Sequence, residues 1–158
     1  MAAGRWLGAI PASVMLLMSA CVSNPQATAK SSPEAARSPS SAGQDVAVQL
    51  QQWSITPTST VVPAGAITFS VTNAGTIPHE LVVLSTDTPA ADFPIGSFEG
   101  ETNRIDEAKV GTNVGETGDM EPATTKSVTI DLKPGHYALV CNLPTHYGLG
   151  MHVDLTVT

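Results

Sequence analysis

Basic residues are scarce in this chain. It holds seven Lys and Arg against 14 Asp and Glu in 158 residues, a net charge of −7. That balance excludes a surface built for nucleic acid, whose phosphates it would repel. Only two cysteines are present, Cys21 and Cys141, so the chain is no disulfide-stapled scaffold. Four histidines are too few for an enzyme that assembles several metal clusters. No apolar run is long enough to stay in a bilayer as a permanent helix, and no long stretch repeats at helical period. The length suits one domain with a proper core, not two.

The N-terminus reads as an address, not as fold. Met1 to Arg5 carries one positive charge, Trp6 to Met18 is a short apolar run, and Ser19 and Ala20 are small. Residues 1–20 therefore read as a secretory signal. Leu17-Met18-Ser19-Ala20-Cys21 resembles the lipobox of bacterial lipoproteins, which implies that Cys21 becomes an acylated first residue and anchors the chain to a membrane. Ordinary cleavage near Ala20, giving an unanchored secreted protein, is the alternative. Losing Arg5 makes the remaining chain one unit more acidic. From Val22 to about Gln44 the chain is Ser, Pro, Ala, Gln and Thr with almost no large apolar residue. Such a segment cannot offset its ordering entropy and is expected to be a flexible tether, reaching roughly 25–30 Å. Residues 21–44 are thus a lipidated Cys and linker, and residues 45–158 the folded domain. No disulfide between Cys21 and Cys141 is expected, because it would tie a tail to a loop without structural gain.

From Asp45 the pattern changes to period two, the mark of half-buried strands. Val46, Val48 and Leu50 alternate with polar residues, as do Ile67, Phe69 and Val71, then Val128, Ile130 and Leu132, then Met151, Val153, Leu155 and Val157. Pro63-Ala64-Gly65, Asn73-Ala74-Gly75 and Lys133-Pro134-Gly135 punctuate them as turns. The pattern predicts an all-β, antiparallel β-sandwich. Residues 86–125 hold five glycines and no sustained alternation. They are expected to form a long irregular insertion over one side of the sandwich, with one short helix within 101–110 and a function that cannot be read.

The chemistry concentrates in one loop. Cys141, His146 and Met151 fall in the order Cys-x4-His-x4-Met. A thiolate, an imidazole and a thioether on one loop suit copper better than magnesium, calcium or a structural zinc site. A blue-copper electron-transfer centre needs one Cys, two His and a weak axial Met. His79, beside Pro78, can supply the second imidazole. Tyr137, Leu139 and Cys141 share one strand face, which points Cys141 into the sandwich interior.

The Cys-x4-His-x4-Met loop, the upstream His and the predicted sandwich resemble the cupredoxins, the small blue-copper proteins, and the loop spacing is that of rusticyanins and auracyanins. Val62-Pro63-Ala64-Gly65 and Asn73-Ala74-Gly75-Thr76-Ile77-Pro78-His79-Glu80-Leu81 carry a similar likeness to bacterial copper-binding relatives. The resemblance covers roughly residues 45–158. It implies a Greek-key β-sandwich holding one copper ion, with His79, Cys141 and His146 as strong ligands and Met151 as the weak axial one. It also implies a non-enzymatic, monomeric electron carrier that meets larger redox proteins outside the cytoplasm. Two departures stand out: Thr145 occupies a position where relatives often carry Gly, and Glu80 one where many carry Asn. The Glu80 carboxylate can reach across to the backbone near Asn142.

The other candidates receive plainer readings. His136, in a turn, and His152, facing outward, are expected at the surface. Met120 is loop filler unless it adds a soft ligand, and Trp53 is core or strand-end packing. His146 is expected on an exposed loop as the electron port, ringed by Leu143, Pro144, Tyr147 and Leu149, which either dock partners or cap the barrel end. Copper storage, delivery or tolerance by the same residues is the competing function.

Overall fold

The computed structural model describes residues 43–158. The expected signal, Cys21 and the tether as far as residue 42 lie outside the described residues. The first described strand, β1 (Gln44–Gln51), starts with the period-two alternation, and its Val46, Val48 and Leu50 are buried while the residues between them face out. β4 (Gly65–Asn73) repeats the pattern with Ile67, Phe69 and Val71 inside. With β2 (Ser54–Pro57) and β9 (Thr125–Leu132) they form a four-stranded sheet in the order β2-β1-β4-β9. On its outer face, Thr68 pairs with Thr129 and Thr72 with Thr125 through hydroxyls 2.9 Å apart, the cross-strand contacts that pin register.

The second sheet takes β3 (Val61–Val62), β5 (Val82–Ser85), β8 (Thr112–Glu116), β10 (Gly135–Val140) and β11 (His152–Val157) in the order β3-β11-β10-β5-β8. The two sheets enclose one core, to which β10 contributes Tyr137 and Leu139, with Cys141 following on the same face. Ala138 and Val140, on the opposite face, enter a second core with Val82, Leu84, Ala90, Phe93, Ile105 and Tyr147. β5 and β10 are therefore covered on both sides, which explains why Val82-Val83-Leu84 reads as a continuous apolar run.

Two expectations need correction. The sandwich is all-β but not wholly antiparallel: β1 pairs with β4, and β11 with β3, in parallel. Alternation specifies which face is buried and carries no information on strand direction. Residues 86–125 are not irregular throughout. They hold a hairpin of β6 (Ile95–Phe98) and β7 (Glu101–Ile105), one turn of helix α1 (Glu107–Val110), and β8. The hairpin shows no alternation because most of both its faces is exposed, so no core dictates its sequence. The helix is four residues long, much shorter than the span allowed for it, and buries no residue. The insertion does pack on the sandwich, through Phe93 and Ile105 in the second core; burying each side chain stabilises by about 1.5–3 kcal/mol. β5 begins at Val82; His79 precedes it and is held by a bridge to Met120.

Candidate metal centre

Each donor predicted from sequence is placed by a distinct piece of backbone. Cys141 follows β10, and its N–H donates to Met151 O at 3.0 Å, extending the β10–β11 pairing beyond the strand ends. That bond brings the backbones of Cys141 and Met151 together across the intervening loop, and both residues are fully buried. His79 exchanges backbone bonds with Met120 at 3.2 and 2.8 Å. Asn73, itself buried, donates through Nδ2 to Ile77 O and Met120 O at 2.9 and 2.8 Å, fixing the segment that carries His79. Gly75 lies against the imidazole: a Cβ there would come within 2.8 Å of His79 Nε2. His146 is set by the turn before it, its N–H donating to Leu143 O at 3.0 Å, and caps the 3-10 helix Tyr147–Leu149. Thr145 takes φ +74°, the left-handed region that favours glycine.

These placements bring three donors into one buried cluster. Nδ1 of His79 lies 3.1 Å from Nδ1 of His146, which lies 3.3 Å from Cys141 Sγ, and the three donor atoms all fall within 4.8 Å of one another. The Glu80 N–H points at Cys141 Sγ across 3.4 Å. As expected from sequence, Glu80 Oε1 accepts from the Asn142 N–H, at 3.0 Å.

The electrostatics prepare the same donors. Burial holds the His79 imidazole below its ordinary pKa, with His146 adding to the effect, and burial lowers His146 as well. Burial thus favours the neutral rings, the form that can coordinate a metal. Burial pushes the Cys141 thiol up to about 11, opposed by the N–H groups of Glu80 and Leu143. It also raises Glu80 to about 7, against the Asn142 N–H that stabilises the carboxylate.

The cluster fits a metal ion. Two nitrogens bound at 2.0–2.1 Å at tetrahedral angles would lie about 3.3 Å apart, close to the separation found here. One Cys, two His and a buried Met at hand form the donor set of a blue-copper centre rather than of a magnesium or calcium site.

The surroundings differ from expectation in several places. His146 is only 8% exposed, because Trp53, expected in packing, stands edge-on over it with ring centroids 5.1 Å apart, and 6.4 Å from His79. Trp53 is itself 39% exposed. No sequence pattern marked it, since it occupies the turn between β1 and β2. Tyr147 is not at the surface; its hydroxyl donates to Ala90 O and accepts from Phe93 N–H. His136 lies within β10 and binds Thr86 O and Asp154 Oδ1. Met120 is fully buried rather than loop filler, while His152 packs beside Tyr147 with centroids 5.1 Å apart.

Residues 41–158 match the Sulfocyanin (SoxE) domain family. No curated protein matches the chain significantly in sequence. Among solved structures, auracyanin B superposes with a TM-score of 0.54 at 22% identity, covering 73% of this chain and 88% of its own. Auracyanin A, a blue copper protein from Chloroflexus aurantiacus, gives 0.52 at 18% identity over 72% and 98%. Reduced auracyanin from Roseiflexus castenholzii gives 0.50 at 21% identity over 73% and 96%. The fold is that of the cupredoxins.

Proposed function

The chain belongs to the sulfocyanin (SoxE) family, and from that premise we propose that it is a mononuclear blue-copper electron carrier. In this reading His79, Cys141 and His146 bind one copper ion strongly and Met151 binds it weakly. The observation that carries it is the buried triangle of His79 Nδ1, His146 Nδ1 and Cys141 Sγ. Copper, when bound, would supply a one-electron couple: the thiolate favours Cu(I), while imidazole accepts both states.

The chain's own residues do the rest. His79, Cys141 and Met151 are fully buried and exclude water from the donors. The paired ends of β10 and β11 hold Cys141 and Met151 in one arrangement, so little has to move when charge changes. His146 lies nearest the surface of the four. Around it Trp53, Pro144 and Leu149 are exposed and form the contact offered to larger redox proteins. Tyr147, buried, takes no part in that contact. Residues 1–20 direct export, Cys21 carries lipid, and residues 22–42 let a monomeric domain sample partners on the outer side of a bacterial membrane.

Redox titration of the copper-loaded domain in the presence of a Cu(I) chelator tests this reading. A carrier gives a reversible one-electron couple and keeps its metal through repeated cycles. Loss of copper to the chelator on first reduction would favour storage or delivery instead.

A further inference from the structure

The β6–β7 hairpin buries little of itself, yet three consecutive residues of β7 bind the segment between Cys141 and His146. Asn103 O accepts from the Thr145 N–H at 2.9 Å. Arg104 donates through Nε to Asn142 O at 2.8 Å. Ile105 donates its N–H to Asn142 Oδ1 at 2.9 Å and accepts from Asn142 Nδ2 at 3.1 Å. Asn142 completes its bonds with Glu107 Oε1, at 2.9 Å from Nδ2, and with Glu80 Oε1. Its backbone N–H and C=O and both ends of its side-chain amide are thus engaged, and it is fully buried.

The two gripped residues are the immediate neighbours of two metal donors. Asn142 follows Cys141 and Thr145 precedes His146. Ile105, buried in the second core, ties this grip to the body of the sandwich, and Arg104 is steadied by its ion pair with Glu101. Four hydrogen bonds from one short strand to a four-residue stretch are hard to account for as core formation.

We propose that β7 is an outer clamp on the metal centre, with Arg104 and Asn142 as positioning residues that fix the spacing of Cys141 and His146 without touching the ion. The inference rests on the functional reading above and gives the 86–125 insertion a role in it. Partners beyond the ligands generally set ligand orientation, and losing one costs 10–100-fold in metal affinity.

Arg104→Ala and Arg104→Lys, each compared with the unaltered chain, test the clamp. Copper-loaded Arg104→Ala should bind Cu(I) about tenfold or more weakly in competition with a chelator and show an altered Cu(II) spin-resonance spectrum. Arg104→Lys keeps the charge but not the donor at the Nε position, and should not restore either property. In the metal-free proteins, hydrogen exchange at the Thr145 and Ile105 amides should accelerate in both variants. Unchanged exchange and spectra in Arg104→Ala would overturn the proposal, and full rescue by Lys would reduce the effect to charge and overturn positioning. If the unaltered chain takes up no copper, the functional reading fails, and the exchange experiment still decides whether the clamp exists.

Discussion

Nδ1 of His79 stands 3.1 Å from Nδ1 of His146 although 67 residues separate them in the chain. Two neutral imidazoles facing each other through the same atom can share only one proton between them. A cation seated between them and Cys141 Sγ satisfies both lone pairs at once. The sandwich therefore holds apart from solvent a set of groups whose arrangement makes best sense around a metal.

Gly75 is the tightest point of that arrangement. A Cβ at this position would meet His79 Nε2 at 2.8 Å and Gln52 Oε1 at 2.5 Å. Gln52 can swing away, but a fully buried imidazole cannot. Gly75→Ala is expected to displace the His79 ring and weaken copper binding by about 10–100-fold, measured by competition with a chelator of known affinity. Native affinity in this variant would mean that the ring position does not matter.

Met151→Leu nearly conserves volume in a fully buried position, so the fold should lose less than about 1.5 kcal/mol. The variant should keep copper and its colour, because the strong donors remain. Its reduction potential should rise, since removing a weak axial donor destabilises Cu(II) more than Cu(I). Voltammetry of the two proteins under identical conditions reads the sign.

Copper uptake should release protons, and the count follows from the burial of each donor. Near pH 8 both imidazoles are already neutral, their pKa values being held below the ordinary range. The Cys141 thiol, pushed up to about 11, still carries its proton and must lose it to bind. Calorimetry in buffers of different ionisation enthalpy should report about one proton released per copper. The sign also fixes the pH dependence: affinity rises about tenfold per pH unit until the thiol ionises unaided. Cys141→Ser should abolish that slope.

Thr145 pays for its place in the ligand loop with a left-handed backbone, φ +74°. Such a conformation costs a residue with a Cβ about 1–2 kcal/mol, partly offset by the greater freedom glycine gives the unfolded chain. Thr145→Gly is expected to stabilise the metal-free domain by roughly 1 kcal/mol, raising Tm by about 4 °C. Calorimetric unfolding checks it, and a fall in Tm would show that the Thr side chain has a compensating role.

How much was legible in the sequence differs by element. Val46, Val48 and Leu50, or Ile67, Phe69 and Val71, announce strands because one face is buried and the other wet. The Cys-x4-His-x4-Met order marks the loop because those donors are rarely adjacent by chance, and His79 could be matched to it by chemistry alone. The hairpin around Asn103, Arg104 and Ile105 was illegible for the opposite reason. Its residues act through backbone groups and a single guanidinium, which leave no periodicity. The burial of Tyr147 and the partial exposure of Trp53 were illegible because burial of an isolated aromatic depends on what packs over it. The parallel pairings of β1 with β4 and β11 with β3 were invisible, since a period-two strand reads the same in either direction.

Addition of Cu(II) in measured steps to the metal-free domain, followed by visible absorption, tests the central claim most directly. An intense thiolate-to-copper band should grow, level off at one equivalent and vanish on one-electron reduction, and Cys141→Ser should never develop it. A colourless protein at saturation, or a band that survives loss of the Cys141 sulfur, would contradict the assignment.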